Sequence, residues 1–491
     1  VPQPRLKLEQ VKVRQLISDY RSGHIVIPEF QREYVWQKSK APKLIDSLYR
    51  GFPISSLLLW QSAEQARARR NNPRPARATR MSWLIDGQQR VITLARTMNG
   101  DEGIAELWDD TLYRQLRRNL ESGRHADKRE NRFEKVRSIL DYEVPLVTMV
   151  DHSFDDAVNA FTRINTLGVR LKGEDIESAK VAAYHSGFIA DEVVPFLEDV
   201  RRQGFTRLNI MHLFRACAFV AKPDGRNRTP LHELEQNEVS RAWKRTQQAT
   251  EKAIGVIRSE LGLVNMEILW SGALLVPLIA LCATTPPRER EARALVAWLA
   301  LAALLHRYSG ASETALEQDL RACRSTDPIR ALLANLRQTR PSLAAIPEDF
   351  AGALNDRSGL LAVYIACMNR GVQDFFTGGK VLLQNSVDRH HILPRAQFPK
   401  ELRLEADNVA NIAFIASDVN KSIGLSGPEV YLRRLEKKVL DSQCVPNDRR
   451  LWSIDKAEQF WSARRALLAR SFNDFLKDAL PGRRLSKAQA S

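Results

Sequence analysis

Between Val387 and Gly424 the chain reads VDRHHILPRAQFPKELRLEADNVANIAFIASDVNKSIG, and no other stretch limits its fold so tightly. Two adjacent histidines, His390 and His391, precede the apolar pair Ile392-Leu393 and Pro394. Asn411 follows, then an apolar strand-like run, Ile412–Ala416, and Asn420 closes the series. Neighbouring residues on an extended strand point to opposite sides. His390 and His391 can therefore serve one site in different roles only where the strand bends or at its end. Phosphodiester cleavage needs a base for water, a divalent metal on the leaving oxygen and a scaffold that holds both. A bare His-His pair is an ordinary surface feature. The full order of histidines, Pro, Asn, apolar run and Asn is a much more specific pattern.

The pattern resembles the HNH nucleases, whose core is a β-hairpin and a helix around one metal. It is close in form to GmrSD-type C-terminal domains, with their His-Ile-x-Pro opening and Asn-rich second half. The resemblance implies that His391 is the general base and that His390 and Asn420 are metal ligands. It makes Asn411 the residue that braces the loop carrying the base. His390 departs from relatives that often place Asp or Glu there. A nitrogen ligand widens the choice among Mg²⁺, Mn²⁺ and other divalent ions.

A chain of 491 residues has room for about three domains. Its net charge of +16 favours a polyanionic partner, although a solvated basic surface would give the same excess. The five cysteines are widely separated and form no Cys-x-x-Cys pair, which argues against a structural zinc. Isolated cysteines and an opening, VPQPRLKLEQ, without an apolar signal core lead to the expectation of a bacterial cytoplasmic setting. The uncharged run Ile268 to Thr285 is nearly long enough to span a membrane. It contains Pro277 and precedes a second apolar run, Ala294 to Leu305, so two buried helices are expected and no membrane partner.

Near the N-terminus, Leu6 to Arg21 reads as an amphipathic segment leading to a strand, His24 to Ile27. Phe30, Gln31, Arg32, Tyr34 and Trp36 then gather aromatic, amide and cationic groups. That mixture suits a pocket where a base stacks while Arg32 meets phosphate. It suits equally a hydrophobic staple of Tyr34 and Trp36 onto the helix expected at Ser39 to Arg50. Strands are expected at Ser56–Trp60 and Met81–Ile85. The arginine-rich stretch between them (Arg67, Arg69, Arg70, Arg74, Arg77, Arg80) could track a nucleic-acid backbone or simply be solvated. Asp86, Gly87, Gln88, Gln89 and Arg90 follow where a strand should pass into a helix, a ready phosphate site and an ordinary capped turn alike.

The Phe-Gln-Arg-x-Tyr-x-Trp and Asp-Gly-Gln-Gln-Arg motifs together look like the N-terminal domain of GmrSD-type restriction proteins. A third piece, Phe161-Thr-Arg-Ile-Asn-Thr-Leu-Gly-Val-Arg-Leu171, is similar too, with Arg163 and Asn165 matching and Lys172 standing where relatives usually have Ser or Thr. The resemblance implies a ParB/sulfiredoxin-like fold that binds and hydrolyses a nucleoside triphosphate, GTP or ATP. Asp86, Gly87, Gln88, Gln89, Arg90 and Arg32 would be the nucleotide-binding set. Phe30, Gln31, Arg32, Tyr34 and Trp36 would sense the DNA and its modification.

From Ala179 to about Gly359 apolar residues recur every three or four positions, over Leu208–Ala221, Arg241–Leu261, Ile268–Ala283, Glu289–Tyr308 and Ser312–Leu336. Closing helices are expected at Gly427–Leu440 and Ile454–Leu480. The expected architecture is α+β, multidomain and mostly helical. It comprises a ParB/sulfiredoxin-like α/β domain (1–185), a helical middle (186–360) and a ββα-metal HNH domain with closing helices (361–491). The resemblance implies an NTP-regulated, Mg²⁺- or Mn²⁺-dependent DNA endonuclease of a defence system. Modified DNA would be its partner, as for GmrSD-type proteins or SspE-like relatives that respond to backbone phosphorothioate, with a homo-oligomer or a second defence subunit as further partners. The alternative is an NTP-driven DNA-binding regulator whose nuclease domain is silent.

Overall fold

In the computed structural model a mixed sheet organises the N-terminal part of the chain. Its strands are β1 (Arg5–Lys12), β2 (Ile25–Val26), β3 (Leu57–Gln61), β4 (Ser82–Asp86) and β5 (Glu143–Val150), in the spatial order β1-β5-β3-β4-β2. β5 pairs antiparallel with β1 and parallel with β3, while β4 pairs antiparallel with β3 and parallel with β2. The structure describes residues 3–31, 34, 36, 40–64, 66–68, 72, 81–97, 138–167, 173–222, 230–284, 288–310, 312–381, 387–424 and 426–480. Two compact units divide the chain, Val1–Pro195 and Phe196–Ser491. The segments expected as a helical middle and a C-terminal domain thus lie mainly together in the second unit.

Helices α1 (Val13–Arg21), α2 (Lys40–Tyr49) and α3 (Gln88–Thr97) bury apolar faces on the sheet. Val13, Leu16, Leu44, Leu48, Val91 and Leu94 share one core with Leu57, Leu59 and Leu84 of the strands and Val144 and Leu146 of β5. Helices α4 (Phe154–Leu167) and α5 (Gly173–Tyr184) follow. The segment read as one amphipathic unit, Leu6 to Arg21, is a strand followed by a helix. Leu6 and Leu8 alternate along β1 and face solvent, whereas Leu16 and Ile17 of α1 are buried. β5 is a strand that periodicity did not mark. Pro145 interrupts its run, and a proline within a run counts against a strand by pattern alone. Here Pro145 lies before the pairing with β3 begins at Leu146.

A helix at Val194–Arg202 comes first, and the second unit then carries α6 (Ile210–Ala221), α7 (Gln236–Leu261), α8 (Val276–Thr284), α9 (Glu289–Leu304), α10 (Ser312–Ala322), α11 (Pro328–Arg337) and α12 (Arg357–Asn369). The helix expected over Ser312–Leu336 is two helices. Asp327 caps the second by accepting from Arg330 N at 3.1 Å, and Pro328 occupies its first turn, where no N–H is needed. The apolar run from Ile268 contains a 3₁₀ turn, Gly272–Leu275, before α8, and Pro277 sits in the first turn of α8. Among the described residues no helix is long and apolar enough to cross a membrane. α9 stops at Leu304, short of the expected Tyr308. Beyond it Arg307 and Tyr308 bond the fully buried Asp319 of α10, at 3.1 Å and 2.7 Å, with Asn335 adding a third donor at 2.8 Å. A buried carboxylate is tolerable only with such a set of donors.

The C-terminal part carries a two-stranded antiparallel hairpin, β6 (Val387–His391) and β7 (Ile412–Ala416), and α13 (Ser417–Ile423) follows β7 directly. Short helices α14 (Pro428–Tyr431) and α15 (Lys437–Ser442) replace the single helix expected at Gly427–Leu440. α16 (Ala457–Ala479) closes the described chain. Its Arg464, fully buried, donates to Ala410 O and Ile412 O at 2.7 Å and to Gln443 O at 3.0 Å. Gln443 in turn donates to Phe414 O at 2.6 Å. These bonds hold β7 from the side opposite its hairpin partner, which fixes the platform for the residues discussed next.

Candidate active site

The register of the hairpin sets His390 opposite Ala413 and His391 opposite Ile412, at the end of β6. Four of the five residues of β7 are buried, so the hairpin lies against the core and cannot slip by one residue without exposing them. α13 begins at once because Asp374, itself buried, accepts from Ala416 N at 2.7 Å. Asn420 is thereby carried to the base of β6.

Asn411 is fully buried and its carboxamide is saturated. It accepts from Leu393 N and donates to Leu393 O and Ala406 O, each at 2.9 Å. These bonds close the connection between the strands over the histidines.

His390 is buried against Phe375 and Tyr431, with ring centroids 5.9 Å and 5.6 Å away. Each ring nitrogen faces an oxygen able to accept from it. Tyr431 donates its hydroxyl proton to Ile392 O at 2.6 Å, and its oxygen lies 3.1 Å from His390 Nε2. Asn420 Oδ1 lies 2.8 Å from Nδ1, and the amide is held in that orientation because Asn420 Nδ2 donates to Asp388 Oδ2 at 2.8 Å. A neutral ring has one proton for these two acceptors. A second proton is disfavoured: burial, with a smaller contribution from His391, pushes His390 down to about 4, against the Asn420 hydrogen bond and the Asp388 charge. An imidazole nitrogen and an amide oxygen thus converge in a buried corner, and both are donor types that a divalent cation accepts.

Asp388 was not marked in the sequence. It accepts from Ser417 Oγ at 2.6 Å as well as from Asn420, and these two bonds hold its carboxyl below the usual range. Among the described residues no group of three or more His, Cys, Asp or Glu side chains is gathered as a metal site. A metal here would rest on one imidazole nitrogen and one amide oxygen, with water completing its shell, as Mg²⁺ commonly does.

His391 is part-exposed, and its Nε2 lies 2.9 Å from Asp407 Oδ1. The other carboxylate oxygen of Asp407 is 3.2 Å from Arg395 Nε. Asp388, Asp407, Arg395 and Tyr431 escaped the sequence reading because they carry no motif of their own. The only available signal was an Asp two residues before the first histidine.

The N-terminal motifs meet at the junction of β4 and α3. Gly87, at φ 98°, turns the chain there, and a Cβ at this position would collide with the Leu57 side chain. Arg90 donates to Ser55 O, to Ser56 O at 3.0 Å and to Asp86 Oδ2 at 3.0 Å. Burial lowers its pKa, and Asp86 opposes that shift. Gln88 and Gln89 are buried, and Gln89 Oε1 accepts from Trp36 N at 3.2 Å. Gln31 donates to Leu84 O and to Ile85 O at 2.9 Å. Tyr34 meets Thr93 Oγ1 at 2.9 Å, with the Arg96 guanidinium 4.5 Å above its ring, and Trp36 packs on the core.

Phe30 stands apart, edge-on to Phe161 at 5.4 Å and to Phe154 at 6.1 Å. With Phe154, Glu29, Glu64, Arg67 and Ser186 it lines a cavity of about 340 Å³. Arg32, Lys172, the side chain of Asn165, and Arg69, Arg70, Arg74, Arg77 and Arg80 lie outside the described residues.

Residues 13–182 match the family model of the GmrSD restriction endonuclease N-terminal domain. No curated protein matches the chain.

Proposed function

We propose that the chain is a metal-dependent DNA endonuclease of a restriction-type defence system, with the hairpin and α13 as its catalytic centre. The observation that carries this reading is the convergence of His390 Nδ1 and Asn420 Oδ1, 2.8 Å apart, one residue from the part-exposed imidazole of His391. The family match of the N-terminal part supports DNA as the substrate and restriction as the setting.

In this mechanism His391 takes a proton from water as the water oxygen bonds to phosphorus and the P–O3′ bond breaks, and the leaving 3′ oxygen takes a proton from solvent. His390 and Asn420 would hold Mg²⁺ or Mn²⁺, which supplies charge stabilisation at the scissile phosphate and leaving oxygen. Asp388 keeps the Asn420 amide turned with its oxygen toward His390. Asn411 keeps the loop after His391 in place. Regulation by GTP or ATP at Asp86–Arg90 is supported by the position of these residues at the start of α3, where the helix dipole favours phosphate. Arg90 already serves the packing of β3, so in this reading it contributes a fixed charge. For sensing of a DNA modification the supporting feature is the cavity beside Phe30.

The test is plasmid cleavage by the full chain over a panel of modified and unmodified DNAs and matched RNA, with Mg²⁺ or Mn²⁺ and with or without GTP or ATP. Cleavage of DNA that stops with a chelator and with His391→Ala is expected. A chain that binds DNA but cuts no member of the panel under any of these conditions would instead be a regulator with a silent nuclease fold.

A further inference from the structure

We infer that Asp407 is the positioning residue of His391: it keeps the proton on Nε2, so that Nδ1 is left as the bare nitrogen. The inference rests on the nuclease reading for its consequence, though not for its geometry.

A carboxylate only accepts, so the 2.9 Å contact of Asp407 Oδ1 with His391 Nε2 requires a hydrogen on that nitrogen. In a neutral imidazole Nδ1 is then unprotonated and can take a proton.

Both partners are held. Asp407 O accepts from Leu354 N at 2.6 Å, and its N donates to Leu404 O at 3.2 Å. The next two residues are tied as well: Asn408 bridges Ala353, and Val409 N donates to Gly352 O at 2.9 Å. On the histidine side, Ile392 N donates to Asn411 O at 2.8 Å, directly after His391. The second oxygen of Asp407 faces Arg395 Nε, which also donates to Arg403 O at 3.3 Å. Side-chain exposures of 23% and 25% leave the pair within reach of a substrate without dissolving it in water.

Arg395 makes the assignment testable. In Asp407→Asn the amide oxygen is drawn to the guanidinium, a pure donor, which turns Nδ2 toward His391. Nε2 must then accept, and the proton moves to Nδ1, the nitrogen needed bare. Removing Arg395 as well frees the amide to turn back.

The experiment labels histidine with ¹⁵N in the full chain and assigns the His391 signals by their loss in His391→Gln. It reads the tautomer in the unmutated protein, in Asp407→Asn and in Asp407→Asn/Arg395→Ala. The expected results are Nε2–H in the unmutated protein, a shift toward Nδ1–H in Asp407→Asn and its reversal in the double variant. On cleaved DNA, kcat falls by roughly 10²–10⁴-fold in Asp407→Asn with KM unchanged, and partly recovers in the double variant. An Nδ1–H tautomer in the unmutated protein overturns the inference, whether or not any variant folds. So does a loss of kcat in Asp407→Asn with the Nε2–H tautomer retained. If the unmutated protein cuts nothing, the nuclease reading fails while the tautomer measurement still decides what Asp407 does to His391.

Discussion

Replacing Asn411 by Ala removes the group that closes the loop over the histidines. Three backbone groups lose their partner: Leu393 N, Leu393 O and Ala406 O. Leu393 and Ala406 are fully buried, so water cannot take over without opening the loop. Each buried group left unpaired costs roughly 1–3 kcal/mol, with carbonyls toward the lower end, or about 3–5 kcal/mol together. For a unit of this size that corresponds to a fall of ~6–10 °C in the melting temperature of the hairpin-bearing unit. The assay is thermal unfolding of the full chain, followed by circular dichroism beside His391→Ala. His391→Ala should lower the midpoint by less than Asn411→Ala, because it removes the one hydrogen bond to Asp407 rather than three to buried backbone groups. A fall of less than ~3 °C in Asn411→Ala would show that the loop does not depend on this amide, and the bracing argument would be wrong.

His391→Ala should cut cleavage by roughly 10²–10⁴-fold while DNA binding, measured by anisotropy, stays as in the unmutated protein; cleavage near the normal rate sinks the base assignment. For the metal corner, His390→Ala and Asn420→Ala should each raise the Mn²⁺ concentration that gives half-maximal cleavage, and an unchanged value in both means that neither is a ligand. The pH dependence of stability has one source in His212. It sits near the start of α6, where its Nδ1 accepts from Asn209 N at 3.2 Å, and burial depresses its pKa to about 4. A histidine depressed in the folded state is protonated first in the unfolded chain. Its contribution is therefore present above about pH 6.5 and is lost progressively as the pH falls toward about 4. His212→Asn should flatten part of the fall in melting temperature over that window, in which His390, shifted to the same value, contributes as well. An identical pH profile in the variant would refute the assignment to His212.

The sequence determined by itself whatever depends on neighbours along the chain. β7 was legible because Ile412–Ala416 is an unbroken apolar run bounded by Asn411 and Ser417. The turn from β4 into α3 was legible because Asp86-Gly87 supplies a cap-capable residue and one free to take positive φ. The helices of the second unit were legible by their spacing, although the break before Pro328 and the early end of α9 were not. Periodicity measures burial and is blind to where a cap or buried ion pair stops a helix. β5 was hidden for the opposite reason: Pro145 weakens its local signal, and only its place between β1 and β3 makes it a strand.

The candidate site divides in the same way. His390, His391, Asn411 and Asn420 stand in an order that can be read in one dimension. What distinguishes the two histidines cannot. Tyr431, 41 positions beyond His390, faces one nitrogen of His390, and Asp407, 16 positions beyond His391, accepts from Nε2 of His391. A tautomer is set by hydrogen-bond partners that the fold brings from elsewhere, so the residue types were written in the sequence and the direction of each proton was decided by the tertiary structure.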